Sequence, residues 1–353
     1  MPPFAPPPHI HTNTRPTFAD SFRVGLSIAK NSIRLYSSFY VSDIIIASPM
    51  GLRMTTGAEG ETDREIDFLS SVEMLVMMHT NTLEMQNWEH VREVVGAMNH
   101  LPTKPRETDF SRVRMWNLAG LSRFRRQTIL CCEHSTPDIA AFTREHMHNA
   151  RGRMLLHWQY AGSLGCVIPS VKQVWHRLDV SKASKVMDKR SKYLARHVVP
   201  QLQAGATEDM PSQPHTMVIT PTYFEFVKLR NMMEKAGMDF APISEYSPQQ
   251  DVSRARTLLF QGRVPQMLIT ERFHFFNRYK LRGIRHIVFA GIPVHGRYYS
   301  EFVNFLEEAS QSHATSVLVL FTRYEAAALE RVVGTARVAR LLNTEGKSTF
   351  VFC

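Results

Sequence analysis

The chain has 353 residues, 44% hydrophobic and 21% charged, which is enough apolar material for a packed core and points to two domains. Lysine and arginine outnumber aspartate and glutamate 42 to 32, for a net charge of +10, so an acidic partner such as nucleic acid is the natural expectation. No apolar run reaches the roughly 18 residues of a membrane span, and prolines stand where a signal peptide has its hydrophobic stretch, so the chain reads as soluble and intracellular, with no membrane partner.

Residues 1–16 hold six prolines and read as a disordered lead-in. Phe22, Leu26, Ile33 and Tyr36 then recur at helical spacing and predict a helix, followed by a buried strand over Asp43–Pro49. Two further apolar runs, Met74–Met78 and Thr128–Cys132, flank a helical stretch from Trp88 to Met98, the alternation of a parallel sheet covered by helices. The polar segment Glu59–Asp67 reads as a loop.

The second half repeats the scheme. Val171–Trp175 predicts a strand ahead of a basic helix, and Gln201–Pro214 a loop. Strands follow at Met217–Thr220, Phe240–Ser244, Met267–Thr270, Ile287–Ala290 and Val317–Phe321, with a helix over Tyr223–Ala236 closed by Gly237. The fold class is therefore α/β, two tandem RecA-like parallel-sheet domains of helicase type, over residues 17–166 and 167–353. The first is expected to lack its N-terminal strand and P-loop.

The chemistry of such folds is carried by motifs that fail here. A P-loop needs G-x-x-x-x-G-K-[ST] to wrap phosphates in backbone amides, and Gly346-Lys347-Ser348 alone resembles its end. The first glycine's place is Leu341 and five residues follow Ser348, so this tripeptide reads as a turn before a terminal strand. The strand end that carries D-E-A-D in RNA helicases reads Met78-His79-Thr80-Asn81, without the hard carboxylate oxygens that magnesium requires. Where an active second domain has an H-R-x-G-R-x-x-R run, the residues after Pro293 include Tyr298-Tyr299-Ser300-Glu301-Phe302 and Glu307-Glu308, and acids there repel a triphosphate.

The four cysteines form no C-x-x-C pair, and adjacent Cys131 and Cys132 are expected as buried free thiols. The sixteen histidines include no H-E-x-x-H, so no metal site or cofactor is expected.

Several stretches together carry a resemblance: Ser48-Pro49-Met50-Gly51-Leu52, Met85-Gln86-Asn87-Trp88, Ser244-Glu245-Tyr246, Ser253-Arg254-Ala255-Arg256, Thr270-Glu271-Arg272, Arg282-Gly283-Ile284-Arg285-His286 and Phe350-Val351-Phe352-Cys353. From about Asp20 to Cys353 the chain resembles the digestive-organ-expansion-factor family, the helicase-like proteins of the small-subunit processome associated with the U-three small nucleolar RNA. The resemblance implies nuclear, nucleolar work on the precursor of 18S ribosomal RNA, with pre-rRNA, U-three RNA and processome proteins as partners. The family pattern leads one to expect aspartates at the positions of Met78 and Asn81, so the sequence departs from it at the acid box.

What survives is a set of cations interleaved with rings. Arg272, Arg278, Tyr279, Lys280, Arg282 and Arg285, with Phe273, Phe275 and Phe276, follow the strand that ends at Thr270, a pattern suited to phosphate pairing and base stacking. The alternative is that the rings fill core and the cations are solvated. Arg123, Arg125 and Arg126, with Arg112 and Arg114, surround Trp116 and suit ribosomal RNA and an acidic protein equally. Arg53, Arg254, Arg256 and Thr270 complete the RNA-binding candidates, and no catalytic residue is assigned. The expectation is a non-catalytic helicase-like assembly factor that binds RNA, assembly proteins or both. The alternatives are a protein-only docking module and, third, an ATP-dependent helicase.

Overall fold

The structure is a computed structural model that describes residues 21–57, 61, 64–104, 110–203, 214–307 and 314–353. The Pro-rich lead-in and most of the loops expected over 59–67 and 201–214 lie outside that set. The chain divides into two compact units between Leu155 and Leu156, and each is described by itself.

Unit 1 opens with an antiparallel sheet of β1 (Arg23–Ala29), β2 (Ser32–Leu35) and β3 (Ile44–Ala47), in the order β2-β1-β3. The expected helix over 22–36 is therefore corrected to a hairpin turning at Lys30-Asn31. Leu26 pairs with Leu35 and Ile44, Ile28 with Ile33, and Val24 with Ile46, so the aliphatic residues share one face in the period of two that a strand demands. On the other face Ile45 joins the core.

The segment after β3 turns into the helix Pro49–Thr56, whose first turn is held by Ser48 Oγ accepting from Gly51 N at 3.0 Å. β4 (Met74–Met77) and β5 (Gln127–Leu130) pair in parallel. Between them runs the helix Thr80–Gly96, broken at Asn87 (φ −144°, ψ 98°), where Asn87 Oδ1 accepts from Glu89 N at 3.2 Å and restarts it. Leu75, Met77 and Leu130 pack on Val91, Val94, Val95 and Phe142, the last from the helix Pro137–His146. Cys131 and Cys132 follow β5 rather than lie within it. Cys131 is exposed and Cys132 half-buried, so the expectation of buried thiols is also corrected.

Unit 2 is built on one seven-stranded sheet of β6 (Lys172–Arg177), β7 (Thr216–Thr220), β8 (Phe240–Ile243), β9 (Gln266–Thr270), β10 (His286–Phe289), β11 (Ser316–Phe321) and β12 (Thr349–Phe352). The order is β12-β6-β11-β10-β7-β9-β8, all parallel except β12, which runs antiparallel on β6. Every residue of β7 and β9 is buried, as parallel strands covered on both faces must be. Met217, Ile219, Ile287 and Phe289 enter one core with Trp175 and Tyr299, while Val218, Leu268 and Val288 enter another with Phe226, Leu229 and Met233 of the helix Tyr223–Lys235. The α/β class with parallel sheets agrees with the sequence reading, as does the turn at Gly346 before β12.

β7 and β10 are neighbours whose onward connections lead to opposite sides of the sheet. At their carboxyl ends lies Arg190, 4% exposed, from the helix Val186–Tyr193. Its guanidinium pairs with Glu225 in the first turn of the Tyr223–Lys235 helix and, at 2.6 Å, with Glu325 ahead of the helix Ala326–Val333. Gly291 lets the guanidinium approach, since a Cβ there would meet its atoms at 2.8–3.0 Å. Arg190→Met leaves two half-buried carboxylates without their cation, and we expect it to destabilise unit 2 by about 3 kcal/mol, read as a lower urea midpoint for the sheet's unfolding.

Candidate nucleic-acid interface

The four residues in the place of the acid box separate into two pairs. Met78 is 57% exposed and His79 is exposed in left-handed backbone (φ 52°). Thr80 and Asn81 are buried and stitch the end of β4 to the segment after β5. Thr80 N and Oγ1 both donate to Cys131 O, at 3.0 and 3.2 Å. Asn81 Nδ2 donates to His134 O at 2.9 Å, and its Oδ1 accepts from Glu133 N and His134 N at 2.8 and 3.2 Å. This set needs a donor and an acceptor on one side chain, which an amide has and a carboxylate lacks.

In unit 2 the fold sorts the candidate cations. Arg254, Lys280 and Arg282 are exposed and have no carboxylate partner among the described residues. Arg256 lies 4.4 Å over the ring of Tyr279, whose hydroxyl accepts from Gln249 Nε2 at 2.6 Å, so the helix Gln249–Phe260 and the segment after Arg278 are tied together by a cation–π contact. Exposed Arg263 also lacks a carboxylate partner among the described residues, and the sequence reading missed it because it follows a helix rather than joining the ring-rich run.

Other candidates are committed within the fold. Thr270 is 1% exposed, caps the helix Glu271–Asn277 by accepting from Phe273 N at 3.1 Å, and donates to Glu245 at 2.7 Å. Arg278 donates to both oxygens of Glu301 at 2.8 and 2.7 Å and lies over Tyr298. Arg285 pairs with Glu307 at 3.2 Å, and Arg272 stacks on Phe276. Of the rings, Phe273 is core and Phe276 is exposed. Glu308 lies outside the described residues.

In unit 1, Arg53 is engaged by Glu93. Arg126 is corrected from a surface cation to a structural one. It is 4% exposed and donates to Asn99 Oδ1 at 2.9 Å and His146 O at 2.8 Å. Arg125 and Arg114 lie 4.7 and 5.1 Å from the Trp116 ring, and Arg123 lies 4.8 Å from that of Phe124. The side chain of Arg112 lies outside the described set.

Two acids named in the sequence, Glu271 and Glu301, organise this part of unit 2, a role that sequence reasoning missed. Glu271, 1% exposed, accepts from Val294 N, His295 N and His295 Nδ1 at 2.9, 3.0 and 3.2 Å, fixing the turn into the helix Gly296–Val303. Glu301 meets buried His274 at 2.6 Å as well as Arg278. Burial acts to raise the Glu301 carboxyl, but His274 and Arg278 outweigh it and hold the group below its ordinary 4.5.

Comparison with known proteins places this geometry in a family. Residues 163–352 match the model of the Utp25 C-terminal domain, and residues 11–154 match that of the UTP25 NTP hydrolase-like domain. The chain belongs to the Utp25 family. Relatives include the mouse U3 small nucleolar RNA-associated protein 25 homolog, 39% identical over 92% of this chain and 42% of its own length. The Arabidopsis thaliana protein NUCLEOLAR FACTOR 1 is 37% identical over 95% and 43%, and the Schizosaccharomyces pombe U3 small nucleolar RNA-associated protein 25 is 37% identical over 91% and 49%. The chain thus spans less than half the length of these relatives. Among solved structures, a DEAD box protein from Methanococcus jannaschii aligns over 78% of this chain and 60% of its own, with 12% identity and a TM-score of 0.36.

In this member of the Utp25 family the acid-box site is a hydrogen-bonded junction. Asn81→Asp would set a carboxylate oxygen against His134 O, and we expect a loss of about 1–3 kcal/mol from unit 1, measured by denaturant unfolding. Glu301 gives a pH signature. Because its folded pKa is depressed, its contribution is complete above about pH 4.5 and is lost as pH falls through the folded value. Glu301→Gln should therefore lower Tm at neutral pH, and the gap from the parent should close as pH falls from 4.5 through the depressed folded value.

Proposed function

We propose that this chain serves in ribosome assembly as a non-catalytic, helicase-like factor that contacts RNA through Arg254, the Arg256–Tyr279 stack, Lys280 and Arg282. The observation that carries the reading is the exposure of these cations beside an aromatic ring, with Arg254, Lys280 and Arg282 lacking a carboxylate partner among the described residues. Cations already neutralised by acids gain little from a phosphate, whereas uncommitted ones release counterions when they meet it. The names of the relatives direct the reading to U3 small nucleolar RNA and the nucleolus, and the family resemblance extends it to the precursor of ribosomal RNA and the proteins of the small-subunit processome.

The non-catalytic part rests on the acid-box position, where Met78 presents a thioether and the Asn81 amide spends its donor and acceptor on backbone groups of Glu133 and His134. Magnesium on a triphosphate is served by carboxylate oxygens, and Met78-His79-Thr80-Asn81 supplies none.

The test is binding of the whole chain to a single-stranded segment of U3 RNA, followed by fluorescence anisotropy across a salt series. Arg254→Glu combined with Arg282→Glu should weaken binding at least about tenfold and reduce the salt slope by about 2. Unchanged affinity would move the contact elsewhere. In the same preparation no magnesium-dependent ATP hydrolysis is expected above a protein-free control, and a rate that saturates with ATP would overturn the non-catalytic reading.

A further inference from the structure

Unit 1 carries a second surface that the RNA reading does not use. After the short helix Met115–Leu118 the chain reverses at Gly120 (φ 68°), with Leu121 N donating to Trp116 O at 2.8 Å. Left-handed backbone at this position suits glycine. Leu101 lies 3.8 Å from where a Cβ on Gly120 would stand, and Leu118 and Leu121 flank that glycine in sequence. Leu101, Met115, Leu118 and Leu121 are 58, 76, 45 and 48% exposed, an apolar group that water covers at a cost.

Cations flank this group. Arg114, Arg123 and Arg125 are its charged neighbours in sequence, and residues 110–126 contain no aspartate or glutamate. Among the described residues the acid that reaches them is Glu73, 3.7 Å from Arg114 with both side chains mostly in water, a pair that neutralises little.

Two chemistries could meet such a surface, and the side chains discriminate between them. RNA gains from rings on which bases stack and from guanidinium groups. Here the Trp116 ring holds Arg114 and Arg125 and the Phe124 ring holds Arg123, and beside one exposed ring, Phe110, the large exposed apolar side chains Leu101, Met115, Leu118 and Leu121 are ones on which no base stacks. Aliphatic groups gain from burial against other apolar side chains, and the surrounding arginines from carboxylates in bidentate geometry.

We infer that the surface formed by Leu101, Met115, Leu118 and Leu121 with Arg114, Arg123 and Arg125 docks an acidic amphipathic segment of another protein, one that interleaves aspartate or glutamate with aliphatic or aromatic residues. The leucines and methionine bury the apolar stripe, and the arginines set its register through its carboxylates. The site is independent of the RNA contact in unit 2, so either can fail without the other.

The experiment places the photo-crosslinker p-benzoylphenylalanine at Leu118 of the whole chain, in cells that make it, with the same substitution at exposed Phe224 of unit 2 as control. The crosslinked peptide is then sequenced. An adduct at Leu118 whose partner peptide alternates acidic with apolar residues is expected. Its yield should fall about tenfold in Arg123→Glu with Arg125→Glu, with circular dichroism unchanged. Adducts to RNA, to lipid or to peptides without carboxylates would overturn the inference. A yield no greater than at Phe224, or indifferent to the charge reversal of a folded variant, would do the same.

Discussion

Unit 2 depends on one buried cation. Arg190 stands where β7 and β10 end and their connections diverge, the place at which an open parallel sheet ordinarily leaves a crevice for a ligand. Here the chain's own guanidinium fills it. Taking an arginine and two carboxylates out of water costs several kcal/mol per ion, and their attraction offsets this where the geometry is good. Both acids also serve helix starts: Glu225 with Thr222, and Glu325 in a reciprocal capping box with Thr322. One side chain thus joins helices packed on different parts of the sheet and closes its carboxyl end. The exposed candidate cations Arg254, Lys280 and Arg282 lie instead on the Gln249–Phe260 helix and in the segment that follows Arg278.

The parallel sheet was legible because it obeys a strict constraint. Strands buried on both faces must be apolar throughout, so Met217–Thr220, Met267–Thr270 and Val317–Phe321 stand out as short uninterrupted runs between helical stretches. The hairpin β1–β2 was not legible on the same terms. Phe22, Leu26, Ile33 and Tyr36 satisfy helical spacing by coincidence, while the signal that decides lies between them: Val24, Leu26 and Ile28 alternate with Gly25, Ser27 and Ala29. The intervening residues are small and uncharged, which hides the period of two from a reading that looks for charged partners.

The candidate site was legible as a composition but not as a surface. A sequence counts arginines, whereas the fold decides which of them retain uncompensated charge. Arg53 finds Glu93 forty positions away, and Arg278 and Arg285 find Glu301 and Glu307 at separations of 23 and 22. Arg126 spends its guanidinium on Asn99 and the His146 carbonyl. No local pattern announces such pairings, because each partner lies on a different element. What remains in unit 2 after them, Arg254, Lys280 and Arg282 beside the Arg256–Tyr279 stack, is a narrower set than the sequence offered there, and its members are cations a phosphate could meet without displacing an internal acid.

The strand end at Met78–Asn81 shows how a fold can keep its shape while changing the interaction that holds it. Carboxylates crowded at such a position repel one another and the nearby backbone carbonyls unless a cation offsets them. An amide removes that requirement. Asn81 gives its N–H to the His134 carbonyl and takes two backbone N–H groups in return, so the junction between β4 and the segment after β5 is satisfied by the protein alone. Buried Thr80 adds two bonds to Cys131 O on the same seam. This pattern of donors and acceptors makes a stable junction, and a single carboxylate placed at position 81 would cost that stability before it could recruit a metal.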